Sequence, residues 1–203
     1  MNSREPRGWL ACLNVRKRWS VVGVAFLAFV AGVGAGPVAG TAASDTCPGF
    51  SGSTSMLKSR GPSAPAVLVD ATAGVQRCLD AVTLTFRSLG NGTPPPRYTV
   101  RYQDPAREPF LDGDPPSPIS LPGAAFLVVR VRPTSSVDPF AADAPPTYTG
   151  NLSLDYGDHH HLQIVRELPD AKGAVVWAIG LDGVRPFRVD RAQNPPRVTV
   201  LIG

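Results

Sequence analysis

The chain after Ser44 predicts an all-β fold, a compact β-sandwich of about eight short strands, and three observations carry that prediction. Runs of alternating apolar and polar residues recur from Val67 to the C-terminus. Pro-rich and Gly-containing turn signals separate them, as at Asn91-Gly92-Thr93 with Pro94-Pro95-Pro96. No stretch keeps a 3.6-residue apolar period beyond one turn around Asp138 to Asp143.

In chain order, residues 1–43 read as a targeting segment. Arg16-Lys17-Arg18 precedes an uncharged, largely apolar run, and Thr41-Ala42-Ala43 fits the small-x-Ala pattern of a signal peptide. The alternative is an uncleaved N-terminal anchor, because about 20 apolar residues can span a bilayer. Residues 44–66, rich in Gly, Ser and Pro, read as an irregular arm, and residues 67–203 as the sandwich domain. Val67 to Thr72 is a first strand. Cys78 to Leu89 follows, with Val82, Leu84 and Phe86 inward and Thr83, Thr85 and Arg87 outward. Tyr98, Val100 and Tyr102 line one face of a third strand. Residues 103–122, with six prolines, read as a surface loop. Ala125 to Pro133 places Leu127, Val129 and Val131 opposite Phe126, Val128, Arg130 and Arg132. After a second loop come Leu152 to Tyr156, Leu162 to Leu168, Gly173 to Val189, and Arg197 to Ile202. In the stretch from Gly173, Val175, Trp177, Ile179 and Leu181 alternate with small residues, which lets a neighbouring layer come close. Asp182-Gly183 predicts a tight hairpin turn to a return strand beginning at Pro186.

Charge and cysteine content bound the function. The formal net charge is +4, but five of the 20 basic residues and one of the 16 acidic ones precede Ser44, leaving 15 of each. A neutral domain gives no bulk electrostatic reason to bind nucleic acid, and membrane contact is expected only through the N-terminal segment if it is uncleaved. Cys47 and Cys78 are the two cysteines after that segment, so export predicts a disulfide between them. It would close a loop of about 32 residues and contribute on the order of 3 to 4 kcal/mol. A lipidated Cys47 is the rival, although Ser44-Asp45-Thr46 is too polar to resemble a lipobox.

Three segments together carry a resemblance: Cys78-Leu-Asp-Ala-Val-Thr-Leu-Thr-Phe86, Tyr98-Thr-Val-Arg-Tyr102, and Trp177-Ala-Ile-Gly-Leu-Asp-Gly-Val-Arg-Pro-Phe-Arg-Val189. They resemble the AMIN-like domain family of secreted proteins from high-GC Gram-positive bacteria, which is distantly similar to the AMIN domain of cell-wall amidases. The resemblance implies an exported, non-catalytic module of the cell envelope. Asp155 to His161 departs from the family pattern.

Candidate chemistry is sparse. His159 and His161 would share one face of an extended segment and could hold a metal with Asp155 or Asp158, yet three adjacent histidines cannot all converge on one tetrahedral ion and no distant histidine completes a catalytic set. No Gly-x-Ser-x-Gly elbow occurs. Asp112 and Asp114 form an acidic pair in a Pro-rich loop, where wetting the segment explains them better than glycoside hydrolysis. The reading is therefore no enzyme and no cofactor. Arg101, Arg130, Arg132, Arg166, Arg185 and Arg188 are the arginines most able to contribute to recognition. Tyr98, Arg101, Tyr102 and Arg188 are the candidate ligand surface. The expected partner is peptidoglycan or another cell-wall polymer; the alternative is an envelope protein, an enzyme or transporter that the domain localises or regulates.

Overall fold

In the computed structural model, residues 49–90, 94–154, 159–170 and 172–203 are described. The expected targeting segment and Cys47 lie outside them, as do Asp155 and Asp158. The described residues all belong to one unit, Ser44–Gly203. Among the described residues there is no helix, and so none long and apolar enough to cross a membrane.

The alternating stretches become strands β1 (Leu57–Lys58), β2 (Ala66–Gln76), β3 (Leu79–Ser88), β4 (Arg97–Tyr102), β5 (Phe110–Asp112), β6 (Ser117–Ile119) and β7 (Ala125–Arg132). Beyond them come β8 (Thr134–Ser135), β9 (Ser153–Leu154), β10 (Leu162–Leu168), β11 (Val175–Leu181), β12 (Phe187–Gln193) and β13 (Pro196–Ile202). A six-stranded sheet runs β1-β4-β7-β11-β10-β9, a five-stranded sheet runs β12-β13-β3-β2-β8, and β5 pairs with β6. Inward residues of both large sheets share one apolar core: Val82, Leu84 and Phe86 from β3, Leu127, Val129 and Val131 from β7, and Trp177 and Ile179 from β11. Period-two alternation aims these side chains at the facing sheet, so each sheet buries one face against the other. Trp177 is fully buried, edge-to-face with Tyr148 at 5.9 Å between ring centroids.

The stretch from Gly173 to Val189 is central, as its apolar pattern predicts, but it is not a hairpin. β11 pairs with β10 on one edge and β7 on the other, while β12 pairs with β13 in the other sheet. A strand with both edges occupied has no ladder to offer a return strand. The connection at 182–186 therefore carries the chain from one sheet to the other, and Gly183 does not take the positive φ that a tight Asp-Gly hairpin turn uses. The small face of β11 behaves as expected. Val176 and Ala178 pack with Phe110, Phe126 and Val128 beneath the β5–β6 hairpin, and Gly180 lies against the Pro122 carbonyl.

Two loops contain more order than their composition predicts. The Pro-rich 103–122 segment forms the β5–β6 hairpin. The arm begins with Phe50 on Leu79, Ala81 and Leu201, outside the five-stranded sheet. It bridges to that sheet through Ser53 and Phe187, then supplies β1 to the edge of the six-stranded sheet. Cys78 lies in the β2–β3 turn and is not a free thiol.

Candidate functional site

The four residues of the expected ligand surface do not form one surface. Tyr98 and Tyr102 share the inward face of β4 with buried Val100 and pack on the main core. The Tyr102 hydroxyl donates to the Arg185 carbonyl at 2.6 Å and accepts from the Arg185 N–H at 2.7 Å, fixing the sheet-to-sheet connection. Burial pushes its phenol pKa up. Arg101 points out of the six-stranded sheet and is held by Glu108 at 2.5 Å and Gln103 at 3.2 Å. Arg188 points out of the five-stranded sheet, 3.2 Å from Asp190 and 5.9 Å from the Phe50 ring centroid.

Around Arg188 the outward face of the five-stranded sheet has a regular layout fixed by register. Thr72, Thr83, Thr199 and Asp190 form one row across β2, β3, β13 and β12. Asp70, Thr85, Arg197 and Ala192 form the next, and Gly74, Ala81, Leu201 and Arg188 the one on the other side. The Thr83 and Thr199 hydroxyls are 3.1 Å apart and hydrogen-bonded. Away from Phe50, part of this face forms a shallow depression of about 390 Å³ lined by Thr72, Gly74, Thr83, Asp190, Arg197 and Thr199 among others. Short side chains keep it shallow, while hydroxyl, carboxylate and guanidinium groups point into it. The alternation along β3 predicts that Thr83 and Thr85 point outward, but not the face they belong to. Only cross-strand register brings Thr72, Thr199 and Asp190 beside them.

The histidine tract is fastened through its backbone to a buried carboxylate. Asp80, with no exposed surface, accepts backbone N–H bonds from His160 at 3.0 Å, His161 at 2.6 Å and Leu162 at 2.9 Å. His159 Nδ1 lies 3.5 Å from the same carboxylate. His161 Nδ1 instead faces Asp182 at 3.2 Å, which also accepts from Arg185. That Arg185 contact, more than any other, holds the Asp182 pKa low. The two rings serve two different carboxylates, so they do not share a face as an extended reading predicts. Among the described residues no group of three His, Cys, Asp or Glu is disposed to hold a metal ion.

Outside the six-stranded sheet, the β5–β6 hairpin borders a groove of about 310 Å³. Phe110, Val128, Leu168 and Val176 supply its apolar lining, and Glu108, Arg130 and Asp170 its charges. Asp112 pairs with Arg166 beside it, a hydrogen bond that lowers the Asp112 pKa. A glycosidase acid needs its pKa raised.

A two-sheet β domain with one open, hydroxyl-lined face has the architecture of a binding module. The AMIN-like domain family model matches residues 66–202, and the chain belongs to that family. Membership associates it with binding at the cell wall or envelope. Neither a curated protein nor a solved structure matches the chain.

Proposed function

We propose that this chain is an exported, non-catalytic envelope module that binds peptidoglycan glycan on the outward face of its five-stranded sheet. The observation that carries this is the Thr72–Thr83–Thr199–Asp190 row, with Arg197 and Arg188 in the flanking rows. Sugars are recognised by planar arrays of hydroxyl, carboxylate and guanidinium groups that can exchange hydrogen bonds with ring substituents, and small residues such as Gly74 and Ala81 let a polymer approach closely. Export through residues 1–43 and a Cys47–Cys78 bridge belong to the same reading. The bridge would fasten the arm to the β2–β3 turn. Because 15 basic and 15 acidic residues follow Ala43, binding should be modest and should weaken little with salt.

Sedimentation with sacculi stripped of phosphate-containing polymers tests this. The parent should sediment above a control protein at both low and high salt. Arg197→Ala combined with Thr199→Val should reduce the bound fraction several-fold, about the loss of one to two hydrogen bonds. Arg101→Ala, on the other sheet, should not. No sedimentation at either salt removes the glycan reading. The second reading, an envelope protein as partner, is favoured by the apolar-lined groove beside the β5–β6 hairpin.

A further inference from the structure

Arg97 and Arg132 are directly opposite each other across the antiparallel β4–β7 pair. Arg130 lies on the same face opposite Thr99, and Lys58 of β1 is opposite Thr99 from the other side. None of these four cations enters an ion pair among the described residues. The other two arginines of this sheet face are neutralised, Arg101 by Glu108 and Arg166 by Asp112. Like charges opposed across strands cost stability, so a domain that holds 15 basic and 15 acidic residues after Ala43 has left one concentrated positive face unbalanced. The two acids that share the neighbouring groove with Arg130 are engaged elsewhere: Glu108 by Arg101, and Asp170 by Ser136.

We propose that this face binds a linear phosphodiester-linked polymer of the envelope, at a site separate from the glycan face on the other sheet. The envelope reading supplies the source of the polymer; the chemistry comes from the patch. Strands are about 4.8 Å apart, so Lys58 and Arg130, two strands apart, are spread over about 10 Å of flat sheet. One small anion cannot reach all four cations, whereas an extended chain with regularly spaced phosphates can. Guanidinium groups pair with phosphate through two parallel N–H donors. Single-stranded nucleic acid fits less well because it calls for exposed aromatic rings on which bases stack. Here Tyr98 and Tyr102 point into the core and Phe126, on the outward face, is buried.

The test is fluorescence anisotropy of labelled poly(glycerol phosphate) with the full chain, across a salt series. The basic N-terminal segment contributes equally to parent and variants. Arg97→Gln combined with Arg132→Gln should weaken binding about tenfold or more and reduce the salt slope by about two. Arg107→Gln, which removes an exposed cation paired with Asp104, should leave binding unchanged. The double variant should melt no lower than the parent, since it relieves a like-charge contact, and should still sediment with stripped sacculi. Failure here is thereby separated from failure of the glycan reading. Equal polymer binding by parent and double variant overturns the proposal, as does tighter binding of the parent to single-stranded DNA or to anionic lipid vesicles than to the polymer.

Discussion

Asp80 concentrates three backbone hydrogen bonds on one buried carboxylate, at the point where the chain enters β10. Buried N–H groups must find acceptors, and bonds to a charged acceptor contribute more than neutral ones. Asp80→Asn replaces one acceptor oxygen with an amide that confronts the same N–H groups. It should lower stability by about 2 to 4 kcal/mol, read as a thermal or denaturant midpoint. His160→Ala, whose exposed ring leaves those backbone bonds in place, should melt with the parent. Equal midpoints for Asp80→Asn and the parent would show that the carboxylate does not fasten the tract. The sequence points to the wrong atoms at this site. Three adjacent histidines draw attention to imidazole nitrogens, whereas the contacts that organise the segment come mostly from main-chain N–H groups, which any residue supplies. Asp80 could be singled out only as part of a family pattern, because its acceptor role depends on a segment about 80 residues away.

At the scale of elements, Gly180 sets how closely the outer layer approaches β11. A Cβ there would collide with the Pro122 oxygen and lie 2.9 Å from Ile164 Cγ2. The obstacle is backbone rather than a flexible side chain, so Gly180→Ala should cost about 1 to 3 kcal/mol or more. Gly183→Ala, with nothing within 4 Å, should stay within about 0.5 kcal/mol of the parent. Thermal melting of the two side by side checks this, and similar midpoints would show that the Pro122 contact yields freely. Most strands were legible because inside and outside alternate along them: Val82, Leu84 and Phe86 against Thr83 and Thr85 is the clearest case. Pairing was not. The local signal Asp182-Gly183 favours a hairpin, but which edges are occupied depends on β7 and β10, and no local pattern records that. The β5–β6 hairpin was hidden for a similar reason. Its strands have three residues each, and Phe110 is held there by packing on Phe126, 5.3 Å away between ring centroids.

For the molecule as a whole, the sandwich encloses one carboxyl group that opposes its stability as pH rises. Glu167 is opposite Trp177 on the inward face of β10, and its burial, with a smaller contribution from Asp170, raises its pKa from 4.5 to about 7. Below about pH 4.5 the group is protonated in folded and unfolded chains alike and exerts no effect. Between 4.5 and about 7 the folded chain holds the proton that the unfolded chain has released, so stability falls across that window and levels off above it. Asp112, Asp138 and Asp182 act in the opposite sense. Their pKa values are lowered from 3.8, chiefly through hydrogen bonds from Arg166, the Phe140 backbone and Arg185 respectively, so the stability they contribute is lost only as pH falls below that value. The two windows do not overlap, which makes the Glu167 contribution separable. Glu167→Gln keeps the size of the side chain and removes the titration. Relative to the parent it should gain thermal stability progressively from pH 5 to pH 7.5, and the difference between the two melting curves should flatten above that range. A parent-to-variant difference that stays constant from pH 5 to pH 8 would show that the solvated part of the Glu167 carboxyl relieves the cost of burying its charge.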